Sequence, residues 1–158
     1  MKTLELRVKQ AAKDGGVGQL VVERDYAQSY ILLGIASHAG LSERLAFKGG
    51  TALRKVHFDG YRFSEDLDFS AVRGPRGKEL ETSIHEAMAV AQDVVQEVAP
   101  VSLVAERYTE RDPHPGGQEA FRVRVQFPWQ RQTQVVIKIE ITHDEPVLLE
   151  APARSVKH

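Results

Sequence analysis

Two segments in the second half of the chain alternate between apolar and polar residues. The first is 121–127, where Phe and Val at odd positions alternate with Arg and Gln at even positions. The second is 135–142, where isoleucines at odd positions alternate with Lys138, Glu140 and Thr142. Because successive side chains of a strand point to opposite faces, both segments predict strands with one buried face and one solvated face.

The spacing of apolar residues is most clearly helical over 78–98, and Pro100 ends this helical pattern. The apolar residues of this segment recur at intervals of three and four and form one face of a helix. They are Leu80, Ile84, Met88, Ala91, Val95 and Val98. We expect this face to lie in the core. Shorter patterns predict helices over 3–13 and 23–38.

Between these elements the pattern predicts short strands and turns. A strand over 45–47 leads through two glycines into a helix over 51–56, and further strands cover 66–70 and 101–108. Loops are predicted at 73–77 and 112–117, and no element is predicted over 143–158. The order of elements predicts an α/β (α+β) fold in two layers, with helices packed on a mixed β-sheet.

Length and charge narrow the class of protein without identifying a chemistry. The 158 residues suit one domain, and 21 basic against 22 acidic side chains give a net charge of −1. A basic surface for general nucleic-acid binding is therefore not predicted, although a local basic groove is compatible with the sequence. The absence of cysteine excludes a disulfide scaffold and thiolate zinc sites. With no signal-like or membrane-spanning apolar segment, we expect a cytoplasmic protein that does not contact a membrane.

Three polar features carry the candidate chemistry. Gly49-Gly50-Thr51 joins a strand to a helix, where a phosphate can approach the backbone and a hydroxyl is available at the cap. Asp66 and Asp68 would lie on one side of a strand, where a divalent cation relieves their repulsion. Glu140 would add a third carboxylate from another strand. Each feature alone fits an ordinary turn, a solvated strand edge or a surface Lys–Glu pair. The glycine turn followed by the Asp-x-Asp pair is expected by chance on the order of a few times in a thousand sequences.

The segments 47–56 and 61–69, which contain the glycine turn and the Asp-x-Asp pair, resemble the signature of the AbiEii/AbiGii toxin family. That family comprises nucleotidyltransferase-like toxins of bacterial toxin–antitoxin and abortive-infection systems, within the DNA polymerase β-like superfamily. The resemblance is dense over 47–69 and weaker over roughly 20–145. It implies a nucleotidyltransferase-like sheet and transfer of NMP from an NTP to an acceptor such as tRNA.

The resemblance also implies roles for individual residues. Asp66, Asp68 and Glu140 would be the catalytic and metal-binding carboxylates, with Mg²⁺ as the cofactor and Mn²⁺ as an alternative. Nucleotide binding would fall to Lys48, Gly49, Gly50, Thr51, Arg62 and Ser64. Lys48 could equally be a strand-edge charge, and Arg62 could instead hold the Asp-x-Asp loop in place.

Family members usually continue into a helical region with a further Lys and Asp. The resemblance therefore implies that residues 1–158 are one nucleotidyltransferase-like domain, the N-terminal catalytic part of a longer architecture. The alternative is a truncated module that binds nucleotide or a cognate antitoxin without turnover. A metal-dependent nuclease would use the same carboxylates and would not need the glycine turn. An RNA acceptor would require a local basic surface, for which Arg122 and Arg124 are candidates.

Other sites have less support in the sequence. The six histidines show no metal-ligand spacing, and no Gly-x-Ser-x-Gly element is present for acyl transfer. His143 and Asp144 follow the predicted strand that carries Glu140 and could line the site or belong to a loop.

Overall fold

A computed structural model describes residues 2–109, 111, 117–147 and 151–158. The chain forms a five-stranded sheet with helices on one face. The helices are α1 (Leu4–Gly15), α2 (Gln19–Ser37), α3 (Ala39–Ser42), α4 (Gly49–Ala52), which continues as a π-helical turn (Leu53–His57), and α5 (Gly77–Gln96). The strands are β1 (Leu45–Lys48), β2 (Leu67–Ala71), β3 (Ser102–Tyr108), β4 (Gln118–Gln126) and β5 (Val135–Thr142).

The sheet has the strand order β1-β2-β5-β4-β3. Strands β2 and β5 are parallel, and the other three pairs are antiparallel, so the predicted mixed sheet is confirmed. The parallel pair brings together two segments that are about seventy residues apart in the sequence. Leu67 lies opposite Ile139 and Asp68 opposite Glu140. This pairing places the Asp-x-Asp segment beside the strand that carries the third predicted carboxylate.

The two faces of the sheet differ sharply in composition. The helix-covered face consists of the odd-numbered positions of β2, β4 and β5, where Leu67, Phe121, Ile137 and Ile139 are fully buried. The even-numbered positions make up the opposite face, which we call the open face. It carries mainly polar and charged side chains: Lys48, Asp68, Ser70, Arg122, Arg124, Lys138, Glu140 and Thr142. The predicted alternation of apolar and polar residues in β4 and β5 is therefore confirmed, with the apolar residues on the covered face and most polar residues on the open face.

Helices α2 and α5 pack closely against each other over the covered face. A Cβ at Gly34 would lie 2.2 Å from the carbonyl oxygen of Ala87, so the two backbones approach more closely than a larger residue allows. The predicted apolar face of α5 is buried from Leu80 to Val95. Val98 was wrongly assigned to that face: the helix ends at Gln96, and Val98 is 48% exposed.

The remaining differences from the predicted elements are local. Helix α2 begins four residues earlier than predicted, because the chain is already helical after Gly18, and the short helix α3 was not predicted. Residues 112–116 of the predicted 112–117 loop lie outside the described residues. The described part of 143–158 contains no helix or strand, as predicted. Across the described ranges, no helix is both long enough and apolar enough to cross a membrane.

Candidate active site on the open face

Three predicted site residues form one row across the open face. Lys48 of β1 pairs with Asp68 of β2, and Asp68 pairs with Glu140 of β5. Residues paired in register have side chains on the same face of the sheet and within contact distance of each other. The row therefore carries two carboxylates next to a lysine.

The carboxyl groups of Asp68 and Glu140 lie close enough for a side-chain hydrogen bond, which forms when one of the two is protonated. Burial raises the pKa of Asp68 to about 7, with further contributions from the hydrogen bond and from the negative charges of Glu140 and Asp66. Lys48 acts in the opposite direction but does not offset these effects. A carboxyl group that holds a proton near neutral pH is a site where a cation can replace that proton.

Asp66 lies immediately before β2 and contributes to the same electrostatic environment. Burial is the main cause that raises its pKa, and the charge of Glu140 raises it further, whereas Lys138 lowers it. The Nζ atom of Lys138 lies 2.5 Å from a carboxylate oxygen of Glu140. Glu140 thus pairs with a lysine and lies next to Asp68 in the row, and its part in binding a metal stays a prediction.

The glycine turn lies directly against the carboxylates. Gly49 has φ 78°, and a Cβ there would be 2.4 Å from Oδ2 of Asp68. Gly50 approaches a second loop, where a Cβ would be 2.9 Å from Oγ of Ser64 and 3.6 Å from a guanidinium nitrogen of Arg62. Only glycine allows both approaches. Ser64 and Arg62 thus border the turn, as a shared site requires.

Thr51 has a different position from the one expected for a cap. Its side chain is buried, and its hydroxyl donates to the backbone carbonyl of Asp66. The N-cap of α4 is Lys48, which makes no side-chain capping bond. Thr51 therefore fixes the backbone just before β2, and thereby the position of Asp66.

The loop that leads to Asp66 is held by residues that the sequence did not single out. Gln28 of α2 is 1% exposed and donates to the carbonyl oxygens of Ser64 and Glu65, at 2.9 and 3.1 Å. The guanidinium of Arg54 lies 3.6 Å from the centroid of the Phe63 ring. These contacts anchor the loop. A buried glutamine within an apolar helix is the one sequence signal that could have indicated such a role.

Glu145 is a further charged residue at this site that the sequence did not indicate. It follows β5, and its carboxylate accepts hydrogen bonds from the Lys48 ammonium and the Ser70 hydroxyl. The neighbouring His143 faces the other way: it is buried, and its Nε2 atom lies 2.6 Å from Oε2 of Glu119. Asp144 is exposed and pairs with Arg76 at 2.7 Å. His143 and Asp144 thus have partners other than the carboxylates.

The two arginines considered for an RNA surface also lie on the open face. Arg122 stacks on Tyr108, with its guanidinium carbon 3.6 Å from the ring centroid. Arg124 bonds to Glu106 through two nitrogens, at 2.9 and 3.1 Å. Both belong to β4, two strands away from Asp68. A chain lying across this face would pass from the arginines to the carboxylates.

Within the described residues, no group of three or more His, Asp or Glu side chains is arranged to hold a metal ion. The donor set is nevertheless of the type that hard cations prefer, since it consists of carboxylate oxygens, and Asp68 and Glu140 lie within hydrogen-bond reach of each other. Lys138 supplies part of the compensating positive charge.

Comparison with known proteins gives one family. The model of the family described as "Nucleotidyl transferase AbiEii toxin, Type IV TA system" matches residues 30–158, which include β1, the glycine turn and every strand of the sheet. The comparison with curated proteins gives no match.

Proposed function

Because this chain belongs to the AbiEii family of nucleotidyltransferase toxins of type IV toxin–antitoxin systems, we propose that it transfers NMP from an NTP to the hydroxyl of an RNA acceptor, such as tRNA, in a Mg²⁺-dependent reaction. The observation that carries the proposal is the row Lys48–Asp68–Glu140, with Asp66 beside it and the glycine turn packed against Asp68.

Asp66, Asp68 and Glu140 would hold the metal. Their fit rests on the hydrogen-bonded Asp68–Glu140 pair, in which a divalent cation would take the place of the shared proton. When bound, Mg²⁺ or Mn²⁺ stabilises the charge that develops on the entering and leaving oxygens of phosphoryl transfer. Lys138, which pairs with Glu140 at 2.5 Å, would offset part of the negative charge of this donor set.

The triphosphate would lie along the glycine turn. Gly49 and Gly50 keep this surface free of side chains, and Ser64 and Arg62 border it with a hydroxyl and a guanidinium. Lys48 would add positive charge from the end of β1. Thr51 would contribute indirectly, since its hydroxyl holds the carbonyl of Asp66.

Glu140 would assist deprotonation of the attacking hydroxyl. It lies between a carboxyl group that holds a proton near neutral pH and a lysine that stabilises its charge. A carboxylate so placed accepts a proton from a hydroxyl brought within hydrogen-bond reach. The RNA strand would approach across β4, where Arg122 and Arg124 supply positive charge on the open face.

The family implies an NTP substrate and a cognate antitoxin partner. In such a system the antitoxin counteracts the toxin, and we propose that nucleotidyl transfer is the activity it counteracts. Which NTP is used depends on contacts with the base, for which the open face provides the ring of Tyr108 as a stacking group.

The proposal is tested with labelled NTPs, total RNA and Mg²⁺. We expect incorporation by the wild-type chain and none by Asp66→Asn/Asp68→Asn. Glu106→Gln is the matched control, because it removes a carboxylate of the same open face that pairs only with Arg124 among the contacts described above. Equal incorporation by wild type and the double variant would overturn the proposal. Mg²⁺-dependent NTP binding without product would instead favour the binding-module alternative.

A further inference from the structure

One row beyond the carboxylates, two hydroxyls lie side by side on the open face. Ser70 of β2 pairs in register with Thr142 of β5, and both side chains are buried, with 5% and 6% of their surface exposed. The Nζ atom of Lys48 lies 3.5 Å from Oγ1 of Thr142. The Lys48 ammonium and the Ser70 hydroxyl therefore face a common point, and the Thr142 hydroxyl borders it as an acceptor of a hydrogen bond from Lys48.

An anion of the chain itself occupies this point. Glu145 folds back over the sheet, and one of its oxygens, Oε2, accepts from both the Lys48 ammonium and the Ser70 hydroxyl. A single oxygen that accepts from an ammonium and a buried hydroxyl is a geometry that phosphate oxygens also adopt. The contact thus identifies both the donors of an anion site and the kind of atom they bind.

The contact is also accessible and easily exchanged. The side chains of Lys48 and Glu145 are each 36% exposed, so solutes can reach the pair. Glu145 belongs to no helix or strand and lies between Asp144, which has φ 56°, and Pro146. Its negative charge lies against Lys48, the cation whose charge lowers the pKa of Asp68. Replacing its carboxylate by a phosphate of the substrate would preserve the two hydrogen bonds and remove a negative charge of the protein from the site.

We infer that Lys48, Ser70 and Thr142 form a phosphate-binding subsite and that Glu145 is its built-in competitor. The subsite is distinct from the glycine turn, because Ser70 and Thr142 lie on the opposite side of Asp68 from Asp66. Its part in catalysis rests on the proposed function, whereas its affinity for phosphate does not. The phosphate could belong to the nucleotide or to the acceptor strand.

The subsite is tested by calorimetric titration in the presence of a chelator, so that no metal contributes to binding. Pyrophosphate represents the nucleotide, and a 5′-phosphorylated dinucleotide, compared with its unphosphorylated form, represents the acceptor. We expect Glu145→Ala and Glu145→Gln to tighten binding of at least one phosphate probe about threefold or more, at the upper end of what a half-exposed ion pair contributes. We expect Lys48→Met to weaken it about tenfold, the loss of a hydrogen bond to a charged group.

Asp144→Asn is the matched control, since it removes one negative charge from the adjacent exposed residue, which pairs with Arg76. It should change phosphate affinity less than either Glu145 variant, and thermal melting checks that all variants are folded. The inference is wrong if the Glu145 variants bind both probes no more tightly than Asp144→Asn does. Tighter binding in variants of a protein that transfers no nucleotide would support the subsite and reject the proposed function. If the protein transfers nucleotide but the Glu145 variants bind phosphate no more tightly, the proposed function is supported and the subsite is rejected.

Discussion

The two faces of one strand, β5, show how differently a single segment is used. Ile137, Ile139 and Ile141 point to the covered face and have no exposed surface. Lys138 and Glu140, which alternate with them, point to the open face and are partly exposed. The covered face gains stability by removing apolar area from water. The open face places like charges next to one another, which costs stability.

This cost is visible in the carboxylates. Burial and mutual repulsion raise the pKa of Asp68 to about 7, and the same causes raise the pKa of Asp66. A sheet selected for stability alone would not place these groups together. Perturbed carboxyl groups are typical of functional sites, where a ligand supplies the missing compensation. We therefore expect substitutions on the covered face to lower stability and substitutions on the open face to lower activity.

The largest expected difference lies between two neighbouring residues of β5. Ile139→Ala should lower the free energy of unfolding by about 2–5 kcal/mol, because it removes a fully buried side chain from a packed core. Glu140→Gln should change it by less than about 1 kcal/mol, since it removes a charge that repels Asp68. Urea titration of both variants, with a transfer assay at a temperature where both are folded, measures the separation. Transfer by Glu140→Gln at the wild-type rate would show that Glu140 takes no part in the reaction.

A second prediction concerns the approach of the glycine turn to the carboxylates. Gly49→Ala should cost about 2–4 kcal/mol of stability, since it combines a positive φ with a Cβ placed 2.4 Å from Asp68. Gly60→Ala is the matched control: Gly60 has φ 71°, but nothing lies within 4 Å of its Cβ position. It should cost only about 1–2 kcal/mol, the strain of the backbone. The difference, read from urea titrations, measures the steric contact.

If the two glycine variants lost equal stability, Asp68 would not be held against the turn. Gly49→Ala should also lower transfer at temperatures where it is folded, because Asp68 must move. Gly60→Ala should leave transfer unchanged.

The smallest expected effect is a pH dependence of stability that comes from Glu119, a polar residue on the covered face. Burial alone would raise the pKa of Glu119, but hydrogen bonds from Arg107 and His143 outweigh burial and hold the pKa below its usual range. Because the folded protein binds this proton less readily than the unfolded chain, Glu119 stabilises the fold above about pH 4.5. That contribution is lost as the pH falls through the lowered pKa.

Urea titrations between pH 6 and pH 3 check this prediction against Glu119→Gln, which cannot titrate. Wild type should lose more stability than the variant over that interval. A parallel decline of the two proteins would show that Glu119 makes no pH-dependent contribution.

Most of the fold could be predicted from periodicity. The alternation in β4 and β5 and the spacing of α5 specify which face is buried, and the structure follows both patterns except at Val98. The strand order could not be predicted, because β2 and β5 pair across about seventy residues and no local signal encodes that pairing. The start of α2 was missed, since Gln19 and Leu20 lie on no apolar row that distinguishes them from a loop.

The site was predictable where its residues have a characteristic spacing. Asp66, Asp68, Gly49 and Gly50 stand out by type and position, and the structure brings them to one place with Glu140. Gln28 and Glu145 have no such signal, because Gln28 reaches the site from helix α2 and Glu145 reaches it from the segment after β5, outside any recognisable motif. Side chains that act through tertiary contacts are recognisable only once the sheet has been assembled.

The central claim is that the carboxylates of the open face carry out nucleotidyl transfer at a cost in stability. Its most direct test measures both properties on one variant, Asp68→Asn, by single-turnover transfer from a labelled NTP and by urea titration. We expect Asp68→Asn to transfer nucleotide at least about 10³-fold more slowly than wild type. We also expect its free energy of unfolding to equal or exceed the wild-type value. A variant that still transfers nucleotide at a comparable rate, or one that loses activity only because it unfolds, would contradict it.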